Sequence, residues 1–191
     1  MEVWGGVSNK RTEMLYEKIN YESGSYVVTR QKIRNPDGTS KITENVAIKV
    51  DAVCVVPVDS ENNVYLIKEW RPTYRKTVLM VPSGGVSTAA SSKNRLKQAR
   101  AELREETGLD CKTLKHMGAV LGLGRVKQRA DIYLATGLYR NPLPKDKGEY
   151  MEVVRLPLQT AIEKLVKGRA SPTISHSALG LLLAERELKN K

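Results

Sequence analysis

The apolar positions of the first 50 residues recur at every second residue, which predicts strands. Residues 26–33 alternate in this way, and residues 42–50 repeat the pattern. Between them, Asn35-Pro36-Asp37-Gly38 combines residue types that favour a tight turn. With a further strand from residue 13 onward, this region is expected to form an antiparallel extension over residues 1–50. The main domain is then expected over residues 51–191.

Short apolar runs in the main domain predict further strands, and most of them are too brief to be helices. The run at residues 53–58 has no polar side chain and predicts a buried strand. A polar turn follows it, and the chain then returns in a second strand. The remaining strands are expected at residues 78–81, 114–121, 130–135 and 152–156. The turn at Pro82-Ser83-Gly84-Gly85 is expected to end the strand at residues 78–81.

Three segments have helical periodicity instead. In residues 93–107, Leu96, Ala99 and Leu103 form a narrow apolar stripe. Later helices are expected at residues 157–167 and 175–188. Mixed strands with one early helix and two late helices predict an α/β fold, in which helices cover both faces of a sheet.

Three glutamates give the first helix its candidate chemistry. Glu102, Glu105 and Glu106 have the spacing i, i+3, i+4 and therefore share one helix face. Gly108 stands where a glycine commonly ends a helix. Carboxylates this close repel one another unless a cation lies between them, and a hard divalent ion with oxygen ligands is the simplest solution.

The sequence from Glu102 to Leu109, Glu-Leu-Arg-Glu-Glu-Thr-Gly-Leu, resembles the second half of the signature of the Nudix hydrolases. This resemblance implies an α/β/α sandwich with a mixed sheet. It also implies Mg²⁺, or alternatively Mn²⁺, held by Glu102 and Glu106 with help from Glu105. The turn at residues 81–86 resembles the family's glycine turn, in which the carbonyl of Ser83 would also bind the metal.

The same resemblance extends to the branch that hydrolyses ADP-ribose and other nucleoside diphosphate sugars. The expected products are a nucleoside monophosphate and a sugar phosphate. Arg71, which precedes Pro72, matches an arginine-proline turn of that branch and is expected to bind substrate phosphate. Arg125 lies in a basic segment where the family has a substrate loop, and Gly84 and Gly85 would allow close approach of the substrate. The N-terminal strands resemble those through which that branch forms homodimers.

The general base is less well defined by the resemblance. The middle segment, residues 122–129, contains no acidic residue, although some relatives have their base there. Glu149, in a late loop, is the first candidate. Glu105 is the second, because it could activate the water from the helix itself.

The first half of the signature is not matched. Counted back from Glu102, Ala101 stands at the position of the family's arginine and Lys93 at that of its first glutamate. Counted forward from the glycines, that glutamate position holds Ala90 or Ser91. Two interpretations remain open: a rebuilt scaffold around a retained metal site, or a decayed enzyme that only binds nucleotide or RNA.

Composition narrows the remaining possibilities. The net charge is +11, from 32 basic and 21 acidic residues, which suits an anionic ligand. A small nucleoside diphosphate derivative is the expected partner, and nucleic acid is the weaker alternative because aromatic-interleaved basic motifs are missing. The two cysteines, the polar start of the chain and the short apolar runs predict a cytoplasmic protein with no membrane span.

Overall fold

A computed structural model describes residues 12–144, 148, 150–168 and 173–190. These residues form two compact units. The first contains residues 12–49 together with residues 122–128, and the second contains the rest. The sequence placed a boundary at residue 50 but did not associate the segment 122–128 with the N-terminal strands.

The first unit is a four-stranded sheet in the order β1-β2-β3-β9. Its strands are β1 (Glu13–Glu22), β2 (Tyr26–Arg34), β3 (Ser40–Ile48) and β9 (Val126–Lys127). The first three are antiparallel neighbours, and β9 runs parallel to β3. The predicted turn between β2 and β3 is confirmed: Gly38 has a φ of +88° and its N–H donates to the carbonyl of Asn35.

The second unit contains two sheets. One is mixed, in the order β7-β4-β10-β8, with β4 and β10 parallel and the other pairs antiparallel. The other sheet has the order β11-β5-β6. The strands are β4 (Val50–Pro57), β5 (Asn63–Arg71), β6 (Lys76–Met80), β7 (Ser83–Ser87), β8 (Leu109–Leu121), β10 (Arg129–Arg140) and β11 (Met151–Pro157).

Three helices pack on the sheets of this unit. They are α1 (Ser92–Thr107), α2 (Leu158–Ile162), which continues as a π-helical turn (Glu163–Lys167), and α3 (Ser175–Lys189). Helices α1 and α3 pack on the mixed sheet, and α2 packs on strands β5 and β11. Alternate residues of β4 divide between two cores. Val53 and Val55 pack with Ala99 and Leu103 of α1, whereas Cys54 and Val56 pack in the core that contains the buried residues of α2 and α3. The predicted α/β/α sandwich with a mixed sheet is therefore confirmed.

The structure differs from the sequence prediction at three strands. Residues 83–87, expected as a turn and loop, form β7 and pair with β4. Strand β8 begins at residue 109 rather than 114, directly after the helix, and β10 continues to residue 140 because it pairs with the whole of β8. Among the described residues, no helix has the length and apolar character needed to cross a bilayer.

Candidate active site

Helix α1 carries the candidate site, and it ends at Gly108 as the sequence predicts. The side chain of Ser91 accepts a hydrogen bond from the N–H of Asn94 at the start. Gly108 ends the helix with a φ of +73°, and its N–H donates to the carbonyl of Arg104. The buried stripe differs from the prediction: Leu96 is 39% exposed, and Arg95 takes the place expected for it.

Glu102 lies against the backbone of Gly84. A Cβ atom built on Gly84 would be 1.8 Å from Oε1 of Glu102, so no larger residue fits there with the carboxylate in place. Gln98, one turn earlier, donates from Nε2 to the same oxygen at 2.8 Å. The carboxylate of Glu102 is thereby held at the glycine turn.

Glu106 reaches the same turn from the next helical turn. Its Oε2 accepts a hydrogen bond from the N–H of Ser83 at 2.8 Å, and the residue is buried. Burial, followed by the negative charges of Glu106, Asp131 and Glu102, raises the pKa of the Cys54 thiol to about 12. Two carboxylates and the backbone of Ser83 and Gly84 therefore meet at one place.

The donor set at this place fits a hard divalent ion. It consists of carboxylate oxygens beside a loop whose glycine leaves room for close approach. Within the part of the chain that the structure describes, however, no three acidic, histidine or cysteine side chains form a group able to hold a metal. The part of Glu105 in the site stays a prediction.

Two arginines of α1, Arg100 and Arg104, contact residues that follow the helix in the chain. Arg100 pairs with Asp110 at 2.9 Å, and Arg104 donates from Nε to the carbonyl of Asn141 at 2.8 Å. Asp110 also accepts from Asn141 at 3.1 Å.

Arg95 is the buried cation that sequence analysis missed. It contacts Asp51 of β4 at 2.6 Å and Asp131 of β10 at 3.1 Å. It also donates to the carbonyls of Thr88 and Ala90, both at 3.1 Å. These two carbonyls lie between β7 and α1, so Arg95 ties together the two elements that carry the candidate site.

Asp131 is the centre of this ion network. It also accepts hydrogen bonds from Arg129 at 2.8 and 2.9 Å and lies 2.9 Å from Nε2 of His116. Burial by itself would raise the pKa of Asp131. The bonds from Arg129 and His116, and the charges of Arg129 and Arg95, outweigh it and hold the pKa below its ordinary value. Asp131 therefore stays ionised opposite Arg95.

Two signals in the sequence could have identified this network. Arg95 precedes Ala99 and Leu103 at intervals of four, which places it on the apolar stripe. Asp51 and Asp131 border or interrupt runs of apolar strand residues. Acids and an arginine at otherwise buried positions indicate a buried ion pair, because an unpaired buried charge is very unfavourable.

A groove marks the place where the family's glutamate and arginine are missing. It has a volume of about 520 Å³, and its lining includes Ala90, Asn94, Lys97, Gln98 and Ala101. Both alanines identified from the signature thus border the same open space. The connection between loop and helix is instead made by Arg95, which supports the interpretation of a rebuilt scaffold.

Arg71 lies at the end of β5, followed by a short 3₁₀ helix (Pro72–Tyr74). Its guanidinium pairs with Glu69 at 3.0 Å, and Nη2 contacts the sulfur of Met80 at 3.2 Å. Met80 is three residues from Ser83, so Arg71 lies near the chain segment that leads into the glycine turn. Trp70 and Tyr74 beside it are both more than half exposed, which excludes a core role for either ring.

Of the remaining predicted residues, the structure describes Gly85 and Arg125. A Cβ atom on Gly85 would make only an ordinary van der Waals contact, at 3.6 Å from Val50, so the methyl group of an alanine fits there. Arg125 is exposed in the segment 122–128 of the first unit, where its carbonyl accepts from the N–H of Val46 at 2.8 Å. Glu149 lies outside the described residues, and its role as a base stays a prediction.

The two glycines of the turn make a matched pair for testing the site. We expect Gly84→Ala to reduce turnover roughly 10- to 100-fold, because the new methyl group must displace the carboxylate of Glu102. Neither glycine has a positive φ, so backbone strain does not enter. Gly85→Ala is the control and should retain turnover. Steady-state kinetics on the two variants gives the measurement, and an equal loss of activity in both would disprove the prediction.

Comparison with known proteins gave the following matches. No family model matches the chain. An uncharacterised Nudix hydrolase of Schizosaccharomyces pombe is 33% identical over 165 residues, covering 78% of each chain. An ADP-ribose pyrophosphatase of Mycobacterium tuberculosis is 28% identical over 168 residues, covering 85% of this chain and 79% of that protein. A solved structure of an ADP compounds hydrolase has the same fold, with a TM-score of 0.83 and 20% identity over 97% of this chain and 98% of that one.

Proposed function

Because the chain belongs to the Nudix hydrolase family, we propose that this enzyme hydrolyses the diphosphate bond of a nucleoside diphosphate sugar such as ADP-ribose. The products would be a nucleoside monophosphate and a sugar phosphate. The observation that carries the proposal is the meeting of Glu102 and Glu106 at the Ser83–Gly84 backbone. The similarity to proteins named as ADP-ribose pyrophosphatases from two bacteria supports the substrate class.

Mg²⁺, or Mn²⁺ in its place, is the proposed cofactor, with Glu102, Glu106 and the carbonyl of Ser83 as its ligands. Such an ion supplies charge neutralisation at the diphosphate and lowers the pKa of a bound water. The chain's own contribution is to fix the ligands before substrate arrives. Gln98 orients Glu102, and the N–H of Ser83 orients Glu106, while Arg95 holds β7 to α1.

The proposed base that activates the attacking water is Glu149, with Glu105 as the second candidate. Arg71 is proposed to bind phosphate oxygen through its guanidinium, whose geometry suits two oxygens at once. Arg125 is proposed to contribute positive charge to substrate binding. The free and buried cysteines, Cys54 and Cys111, are consistent with the proposed cytoplasmic location.

A panel of diphosphate substrates tests the function. It should include ADP-ribose, other nucleoside diphosphate sugars, a dinucleotide and isopentenyl diphosphate, each with and without Mg²⁺. Metal-dependent release of a nucleoside monophosphate from ADP-ribose is the expected result. Binding of nucleotide or RNA without turnover of any substrate would instead favour the decayed enzyme.

We further propose a homodimer formed through the first unit. Several large apolar side chains of its sheet are exposed, namely Met14, Tyr16, Ile19, Tyr21 and Ile42. The strand register places Tyr16, Tyr21 and Ile42 on one face of this sheet, and Met14 and Ile19 on the other. A small sheet gains stability when a second surface covers the apolar side chains of one face.

Sedimentation velocity tests this proposal. The chain is expected to sediment as a dimer at micromolar concentration, and Tyr16→Lys should shift it to the monomer because a charge would be buried at the interface. Tyr150→Lys, at an exposed tyrosine of the second unit, is the control. A monomeric unmodified protein would contradict the dimer.

A further inference from the structure

Two buried nitrogen atoms have no hydrogen-bond partner among the described residues. They are Nε of Arg71 and Nε2 of His176. Buried N–H groups are paired in the great majority of cases, and leaving one unpaired is unfavourable by about 1–3 kcal/mol. Such groups persist where a bound ligand or a water molecule supplies the missing hydrogen-bond partner. The two nitrogens therefore indicate a site for a bound group with hydrogen-bond acceptors.

The positive charge of Arg71 acts on His176. Burial, and secondarily the positive charge of Arg71, lowers the pKa of His176 below its ordinary value. The imidazole is therefore neutral at pH 7 and has one N–H to donate, with the tautomer set by its partner. Arg71 uses one terminal nitrogen, Nη2, for both Glu69 and Met80, and its Nε is the buried donor without a partner among the described residues.

The start of α3, which carries His176, is bonded to the end of β6 through the residues on either side of the histidine. Thr173 donates from Oγ1 to the carbonyl of Leu79 at 2.7 Å, and Ser177 accepts from the N–H of Val81 at 3.2 Å. The start of α3 is thereby fixed to the end of β6. Val81 is two residues from Ser83, whose N–H binds Glu106. The histidine thus lies beside the chain segment that carries the proposed metal site.

We propose that His176 and Arg71 together bind phosphate oxygens of the substrate. Two buried nitrogen donors of this kind, one charged and one neutral, suit an anionic group rich in oxygen acceptors. His176 would be a positioning residue, because it orients the diphosphate without exchanging a proton with it. This inference rests on the proposed function, which it deepens by naming a second residue for the phosphate.

Nuclear magnetic resonance offers a direct test, since the chain contains only two histidines. Inorganic diphosphate, the group shared by all candidate substrates, would be added without divalent metal while the imidazole ¹⁵N–¹H correlations are recorded. His116, bound to Asp131, serves as the internal control, and His116→Asn assigns the two signals. The His176 signal is expected to shift and the His116 signal to stay. An unmoved His176 signal at saturating diphosphate overturns the proposal.

A variant pair extends the test to affinity and turnover. His176→Gln should weaken diphosphate binding roughly tenfold, which corresponds to loss of one hydrogen bond to a charged group. With the true substrate it should raise KM by a similar factor and change kcat little. An unchanged KM and affinity in a folded His176→Gln protein would also overturn the proposal. If no substrate of the panel is hydrolysed but the His176 signal shifts, the proposed function fails while the anion site stands.

Discussion

Replacing Arg95 with methionine is expected to lower the free energy of unfolding by about 3 kcal/mol, the lower end for removal of one partner from a buried ion pair. Methionine fills similar volume but leaves the carboxylate of Asp51 without its cation. Asp131 keeps its contacts with Arg129 and His116, so we do not expect a loss of stability at the upper end of that range. The carbonyls of Thr88 and Ala90 also lose their donor.

Urea unfolding monitored by circular dichroism gives the measurement. The denaturation midpoint should fall while the slope stays constant, since the surface exposed on unfolding hardly changes. Lys93→Met, at an exposed position two residues earlier in the same helix, is the control and should change stability by less than about 0.5 kcal/mol. Equal destabilisation in the two variants would show that the network contributes nothing beyond ordinary helix effects.

Arg95→Lys tests whether the geometry of the guanidinium matters. Lysine keeps the charge but cannot bridge two carboxylates and two carbonyls with a single ammonium group. We expect it to recover only part of the lost stability. Turnover per folded molecule should fall in both variants, because the segment between β7 and α1 would lose its fixed position relative to Glu102.

Glu106→Gln is expected to have the largest effect on catalysis, a loss of turnover of about 100-fold or more. Removing a carboxylate ligand of the proposed ion forfeits several kcal/mol of transition-state stabilisation, and every 1.4 kcal/mol or so is a factor of about ten in rate. The fold should persist, because the glutamine oxygen can still accept from the N–H of Ser83. Unfolding stability without metal should stay equal or rise, as one buried negative charge near Glu102 is removed.

Kinetics as a function of Mg²⁺ concentration measures this effect. Glu163→Gln, at an exposed glutamate after α2, is the control and should behave as the unmodified protein. The loss of turnover in Glu105→Gln should be compared with the loss in Glu106→Gln. A loss of similar size there would show that Glu105 acts at the site, either as a metal ligand or as the base, whereas a small loss would leave Glu102 and Glu106 as the two carboxylate ligands. Unchanged turnover in Glu106→Gln would falsify the proposed metal site.

The sequence by itself determined much of the local structure. The spacing of Glu102, Glu105 and Glu106, together with Gly108, predicted both the extent of α1 and the carboxylates on it. This succeeded because helix ends and shared helix faces depend on residues within a few positions of one another. The strands at residues 53–58 and 64–71 followed from apolar patterning for the same reason.

Only the tertiary structure decided how these elements form a site. Arg95 meets Asp51 and Asp131 from 44 and 36 residues away, and no local pattern records which distant acid an arginine will find. The glycine turn became strand β7 because β4 was available as a partner, which then placed Gly84 against Glu102. Helix spacing grouped the glutamates on one face, but only packing brought Glu102 and Glu106 to the backbone of Gly84 and Ser83. Contacts between distant segments depend on how the sheet and helix pack, and that packing is set by the whole chain at once.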